Sequence, residues 1–324
     1  MASAVFAGVD IGGTKISVVI ARQNGEIVGR ARRKSKPERG FDGVMARVEE
    51  TVLEACTDAG IDRSALAAVG VGAPSPILPD GTAVSAVNMG WSNVPLARSL
   101  AERLSLPIFA ENDCNVGAFG EYSFAKPRRA GTLVGLFMGT GLGGGVVQDG
   151  AILRGDNSLA GEIGHMTVVP DGRPCACGKR GCLEAYASKT GLAYEFKQAI
   201  LLERKPSILP SLTLEGGLDN VKSSLLRKAW DEKDEVVRVA LRRGARYLGI
   251  ATGNLITLLG PTAVVLGGGV MEALGQELLP LVQESAKEHA FPAASYASTA
   301  IELATLGDDA VALGAVAYAR DCLG

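Results

Sequence analysis

The chain has 324 residues, 47% of them hydrophobic, which is long enough to bury a sizeable core and predicts two domains. Lysine and arginine total 33 against 35 aspartate and glutamate, so no strong field is available to hold nucleic acid or a charged membrane face, and a small molecule is the expected partner. Met1 to Phe6 lacks the layout of a signal peptide, and no uninterrupted apolar run reaches the roughly 18 to 20 residues that span a bilayer, so a cytoplasmic protein is expected.

In chain order, Val5–Val9 is a short apolar run, followed by a Gly-rich break and a second run, Ile16–Ile20, leading to Asn24-Gly25, a strong hairpin signal. Arg30–Arg39 carries six basic residues and reads as a solvated strand end and loop. Apolar spacing predicts helices over Val44–Ala59 and Leu96–Leu104, with short strands at Ala68–Gly72 and Ile108–Ala110. The first pattern then recurs: Leu133–Phe137, a Gly-rich break, Gly145–Val147, the turn Asp149-Gly150 and the apolar pair Ile152-Leu153. Helices are predicted over Glu184–Leu202, Glu235–Leu258, Leu274–Glu288 and Asp308–Cys322, and strands over Ala263–Leu266 and Ala300–Ala304. Glu203–Ser223, with Pro206, Pro210 and Gly216-Gly217, reads as a connector outside the core. Alternating strands and helices give the α/β class. The recurrence predicts two copies of one unit, with a cleft between them, over 1–120 plus 305–324 and over 121–304.

Three glycine clusters suit phosphate or nucleotide binding. Asp10-Ile-Gly12-Gly13-Thr14-Lys15 follows a strand; its glycines let backbone N–H groups approach phosphate oxygens, Thr14 and Lys15 add donors or charge, and Asp10 can hold Mg²⁺ or a metal-bound water. The alternative is a plain hairpin turn. Gly139-Thr140-Gly141-Leu142-Gly143-Gly144-Gly145 stands at the equivalent place in the second copy, and Gly267-Gly268-Gly269 falls between a strand and a helix. None has P-loop or dinucleotide-fold spacing.

Glu111-Asn112-Asp113 sits at the mouth of a sheet, where a carboxylate can take the proton that an acceptor hydroxyl loses during phosphoryl transfer. Asp113 is the candidate base; a bare helix cap is the other reading. His165 with Cys175, Cys177 and Cys182 supplies four donors for a closed, structural Zn²⁺ site, which would brace the segments carrying Glu162 and Glu184 so that both carboxylates point at sugar hydroxyls.

Taken together, these motifs resemble the ROK (repressor, ORF, kinase) family of sugar kinases, within the actin-like, hexokinase-like ATPase fold. The resemblance runs in order from Asp10–Lys15 to Leu266–Gly269, nearly the whole chain. It implies ATP with Mg²⁺, Asp113 as general base, and sugar contacts from Asn88, Asn112, Asp113, Glu162, His165 and Glu184, with His165 also on zinc. It further implies a homodimer or homotetramer. Asn88-Met-Gly-Trp91 and Asn93-Val-Pro-Leu96 are most like those of the glucokinase members, so glucose to glucose 6-phosphate is the expected reaction. The alternatives are a kinase for N-acetylmannosamine, fructose, mannose or allose, a polyphosphate donor, or a non-catalytic sugar sensor. The family's repressors add an N-terminal helix-turn-helix; with the first strand predicted to start by Val5, a DNA reader is not expected. Two positions depart from the family pattern: Ser75 between Pro74 and Pro76, where glycine is frequent, and Cys114, where alanine is usual.

Overall fold

A computed structural model describes residues 4–125, 129–213 and 217–324; Gly216 of the predicted connector lies outside them. Strands β1 (Val5–Ile11), β2 (Lys15–Arg22), β3 (Ile27–Lys34), β4 (Leu66–Ala73), β5 (Ala83–Ala86), β6 (Trp91–Val94) and β7 (Ile108–Asn112) precede residue 113. One sheet runs β3-β2-β1-β4-β7, with β5 and β6 as a separate antiparallel pair. After it come β8 (Thr132–Met138), β9 (Leu142–Gln148), β10 (Ala151–Ile152), β11 (Ala263–Gly267) and β12 (Ala300–Leu303), in the order β10-β9-β8-β11-β12. Counted from its own first strand, each sheet reads 3-2-1-4-5, the duplication that the repeated glycine pattern predicts.

The helices are α1 (Gly40–Asp58), α2 (Leu96–Leu104), α3 (Asp113–Phe124), α4 (Lys189–Lys197), α5 (Leu209–Leu212), α6 (Ser223–Asp231), α7 (Glu235–Leu259), α8 (Gly269–His289), α9 (Ala293–Ala297) and α10 (Ala310–Leu323). The chain divides into two compact units, the first made of Met1–Ala130, Gly145–Gly161 and Asp308–Gly324, the second of Gly131–Gly144 and Glu162–Gly307. Relative to the boundaries expected from sequence, Gly145–Gly161 falls with the first unit. The reason is close packing on α3: a Cβ on Gly145 would stand 2.8 Å from the Asn115 Cα.

Alternation along the strands sets the layers of the first unit. Val9, Ile11, Val69, Val71 and Ala73 belong to the core that includes Val44, Met45, Val48 and Val52 of α1. The intervening positions are Gly8, Gly70 and Gly72, and on these α10 lies: a Cβ on Gly8 would meet the Ala312 carbonyl oxygen at 1.9 Å, and one on Gly70 that of Ala315 at 1.9 Å. Gly314 of α10 does the same toward α3, where a Cβ would stand 1.6 Å from the Val116 oxygen. In the second unit α7 and α8 pack together, and α8 covers β8, β11 and β12.

Three expectations need correction. Glu184–Leu202 is not one helix: Glu184 sits on a short 3-10 turn, Leu183–Ala185, and α4 starts only after Ser188, whose hydroxyl caps the Gly191 N–H. The connector Glu203–Ser223 does reach the core, because Leu209, Leu218 and Val221 are buried. The reading of Arg30–Arg39 as a solvated strand end and loop agrees with the structure: Arg30–Lys34 ends β3, with Arg30 bonded to Asp309 and Arg33 to Glu50 and Glu54, so its charge is matched on the surface. The helix expected over Leu274–Glu288 also begins earlier, at Gly269.

Gly70→Val forces a side chain into a backbone carbonyl that cannot move without shifting α10. It should cost about 3 kcal/mol or more, read as a lowered urea midpoint.

Candidate functional site

Parallel pairing brings three strand ends to one edge of the first sheet: Asp10 is opposite Gly72, Gly72 opposite Glu111, and Ala73 opposite Asn112. Reactive groups gather at such carboxyl ends in α/β proteins. Asn112 is the N-cap of α3, its side-chain oxygen accepting the N–H groups of Cys114 at 2.9 Å and Asn115 at 3.1 Å. Capping therefore falls to Asn112, and Asp113 is the first helical residue, half-buried, with its Oδ1 accepting the Cys114 N–H at 2.8 Å. The Asn112 amide donates to the Ser75 carbonyl at 3.4 Å. Ser75, the departure from the family pattern, is buried and its hydroxyl accepts the Ser85 N–H at 3.0 Å, so it shapes the backbone that holds Asn112.

The first glycine turn joins β1 to β2. Gly12 N–H donates to the Lys15 carbonyl at 2.9 Å, and Ser35 fastens the turn by bonds to the Gly12 and Thr14 carbonyls. Thr14 is exposed, and Asn88, also exposed, lies beside Gly13. The Lys15 ammonium stands 3.2 Å from an Asp308 oxygen, with both side chains about half exposed. Such a pair is weak, so Lys15 can turn to another anion at little cost. Burial, and then the nearby Asp113 carboxylate, push Asp10 up to about 7 against the pull of Lys15. Two carboxylates held together in this way call for a cation.

The second glycine turn is pinned to the start of α4: Lys189 N–H donates to the Gly139 carbonyl at 3.0 Å and Thr190 N–H to that of Thr140 at 3.1 Å. Gly139 N–H closes the turn on the Gly141 carbonyl at 2.9 Å, and Gly143 lies in β9. Gly268, at φ 84°, is the N-cap of α8, and a Cβ there would strike the Met138 backbone at 2.7 Å.

Also in the second unit, ligand atoms of His165, Cys175, Cys177 and Cys182 all lie within 4.8 Å of one another. Cys177 Sγ and Cys182 Sγ are 3.7 Å apart, as are Cys175 Sγ and His165 Nδ1. A tetrahedron of Zn–S bonds of about 2.3 Å has edges of about 3.8 Å, so donor set and spacing fit a structural zinc. The surrounding chain has little regular structure. It is held by the Thr167–Cys182 and Pro174–Arg180 bridges, and at Gly181, φ 76°, the chain passes so close that an added Cβ would stand 1.7 Å from the Val169 oxygen. Glu184 touches both features: one oxygen accepts the Leu142 N–H at 3.0 Å and the other lies 3.6 Å from Cys175 Sγ. Glu162 is exposed, at the start of the turn carrying His165.

Sequence reasoning assigned no role to Glu111, Arg154 or Asp308. Glu111 is 3% exposed and pairs with Arg154, 43 residues later; Asp308 faces Lys15 across 293 residues. The signal for Glu111 was present as an acidic residue directly after a predicted strand, where β7 continues through Asn112 and an unpaired buried charge is costly.

A model of the ROK family matches residues 6–322. This chain belongs to the ROK family. It is 36% identical over 311 residues to a glucokinase of Halalkalibacterium halodurans, covering 95% of this chain and 93% of that one. It is 34% identical over 322 residues to a glucokinase of Thermotoga maritima, covering 98% of each. Among solved structures it is similar to a ROK family glucokinase from Streptomyces griseus in complex with glucose and AMPPNP, with TM-score 0.84, 31% identity, and coverage of 98% of this chain and all of that one. The family carries the actin-like, hexokinase-like ATPase fold, as the sequence motifs implied. Among the described residues no helix is long and apolar enough to cross a membrane.

Purified protein should hold about one zinc per chain by elemental analysis, with chelation or Cys177→Ser lowering the melting temperature; less than about half an equivalent would count against the site. Asp10 supports a second expectation. A carboxyl raised from 3.8 to about 7 stabilises the fold fully below the lower value and loses that contribution as pH rises through the upper one. Without divalent cations, stability relative to Asp10→Asn should fall by on the order of 1 kcal/mol per pH unit between those two values and then level off, as read from denaturation midpoints.

Proposed function

We propose that the protein transfers the γ-phosphoryl group of ATP to a hexose, glucose above others, yielding glucose 6-phosphate. The observation that carries this reading is Asp113, a half-buried carboxylate at the carboxyl edge of a parallel sheet, on the first residue of α3 directly after its N-cap Asn112. It occurs in a chain whose likeness to glucokinases spans nearly its full length.

In this reading the Asp113 carboxylate accepts the proton of the attacking sugar hydroxyl as the bond to phosphorus forms. Asn88, Asn112, Glu162, His165 and Glu184 hold the other hydroxyls, which pair well with charged acceptors and fixed amides. Gly12, Gly13, Gly139, Gly141, Gly143 and Gly268, lacking side chains, let the backbone of the three turns come close to phosphate oxygens, while Thr14, Thr140 and Lys15 add side-chain donors. Asp10 is the proposed partner of Mg²⁺, which when bound neutralises charge on the transferring phosphoryl group. Zinc on His165, Cys175, Cys177 and Cys182 has no open position and serves structure alone. Glucose is placed first among hexoses on the Asn88–Trp91 segment and on the names of the relatives.

A coupled assay of ADP release over a hexose panel tests the proposal. Glucose should give the highest kcat/KM, and Asp113→Ala should lower kcat by about 10²-fold or more. Full activity in that variant, or no sugar-stimulated release, would sink the reading. Preference for N-acetylmannosamine, fructose, mannose or allose would move the substrate, and turnover with polyphosphate alone would move the donor.

A further inference from the structure

A carboxylate taken out of water must find donors for its lone pairs or go neutral. Glu111, the last buried residue of β7, finds three. Its Oε1 accepts the Asn112 N–H at 2.8 Å and the Asn115 side-chain amide at 3.1 Å, and its Oε2 accepts the Arg154 Nε–H at 2.5 Å. Two of those donors belong to the turn that presents Asp113. The third comes from the Gly145–Gly161 segment of the same unit.

Arg154 is itself fixed from two sides. Its guanidinium lies over the Tyr318 ring of α10, 5.1 Å from the centroid, and its carbonyl accepts the Ala160 N–H at 3.0 Å, closing the loop that leads to Gly161 and Glu162. One ion pair, its carboxylate buried and its guanidinium a third exposed, thus joins the base-bearing turn, the C-terminal helix and the loop that leads to Glu162.

We propose that Glu111 and Arg154 are positioning residues for the phosphoryl transfer, holding the Asn112–Asp113 turn so that Asp113 meets the sugar hydroxyl in a reactive geometry. This rests on the kinase reading above. The chemistry is specific to a carboxylate: both oxygens receive N–H donors, so a glutamine must turn its own NH₂ group toward either Arg154 or the Asn112 turn. Arginine is likewise specific, since one nitrogen meets the carboxylate while the guanidinium plane stacks on Tyr318, which an ammonium cannot reproduce.

The test uses the full chain with Glu111→Gln, Arg154→Met and the milder Arg154→Lys, assayed beside the parent. The expected result is a kcat lowered by about 10- to 100-fold, with the KM for ATP and for the sugar within about threefold, because misplacement of a reacting group costs rate more than binding. Arg154→Lys should recover part of the loss. Amide hydrogen exchange, read without turnover, should speed up at Asn112 and Cys114 in Arg154→Lys while the rest of α3 keeps its protection. A kcat within twofold of the parent in Arg154→Lys, with unchanged exchange at Asn112, would overturn the proposal, whether or not Glu111→Gln folds. So would a loss that follows only the unfolded fraction, or one carried by KM. An inactive parent, by contrast, fails the kinase reading, and the exchange measurement still decides whether the pair holds the turn.

Discussion

The first unit depends on the close approach of one helix to one sheet. Helix α10 lies with its backbone almost against β1 and β4, an arrangement that only Gly8 and Gly70 on that face allow. Because the same helix also touches α3 through Gly314, it fixes where α3 begins relative to the strand ends. Asp10, Gly72 and Glu111 are brought level by parallel pairing, but the direction in which Asp113 leaves the sheet is set by that helix contact. Close packing of backbone on backbone, with no charged group in it, therefore decides the geometry of the most polar place in the unit.

The second unit solves a different problem. Between β10 and α4 the chain has only short turns, too little regular structure to bury its own polar backbone groups or to hold a fixed shape. Three thiols and an imidazole brought within a few ångströms substitute a metal-sized cluster for a hydrophobic core. Glu184 connects this cluster to the glycine turn at Leu142, so the loop chemistry and the phosphate-loop chemistry share a residue.

Much of the fold was legible in local sequence. The glycine turns, the Asn24-Gly25 hairpin and helix α2 follow from patterns a few residues long, and the duplication followed from meeting the same pattern twice. Helix starts were read less well where side chains compete for the backbone. The stretch after Glu184 has helical apolar spacing, yet the Ser188 hydroxyl delays the helix by claiming the Gly191 N–H. The end of strand β3 was legible as solvated, but the partners of its arginines on α1 and beside α10 were not, because they lie far along the chain.

By itself the sequence determined the chemistry available: which residues can bend to admit a phosphate, which can bind a soft cation, and which carboxylate follows a strand. It did so because those properties reside in single residues and short spacings. Tertiary structure alone decided which charges are shared. The Asp10–Asp113 repulsion, the Lys15–Asp308 pair and the Glu111–Arg154 pair join positions far apart in the chain, and burial sets the strength of the first and third. Neither distance nor desolvation leaves a local mark in the sequence, since both arise only when separate segments close over the same few atoms.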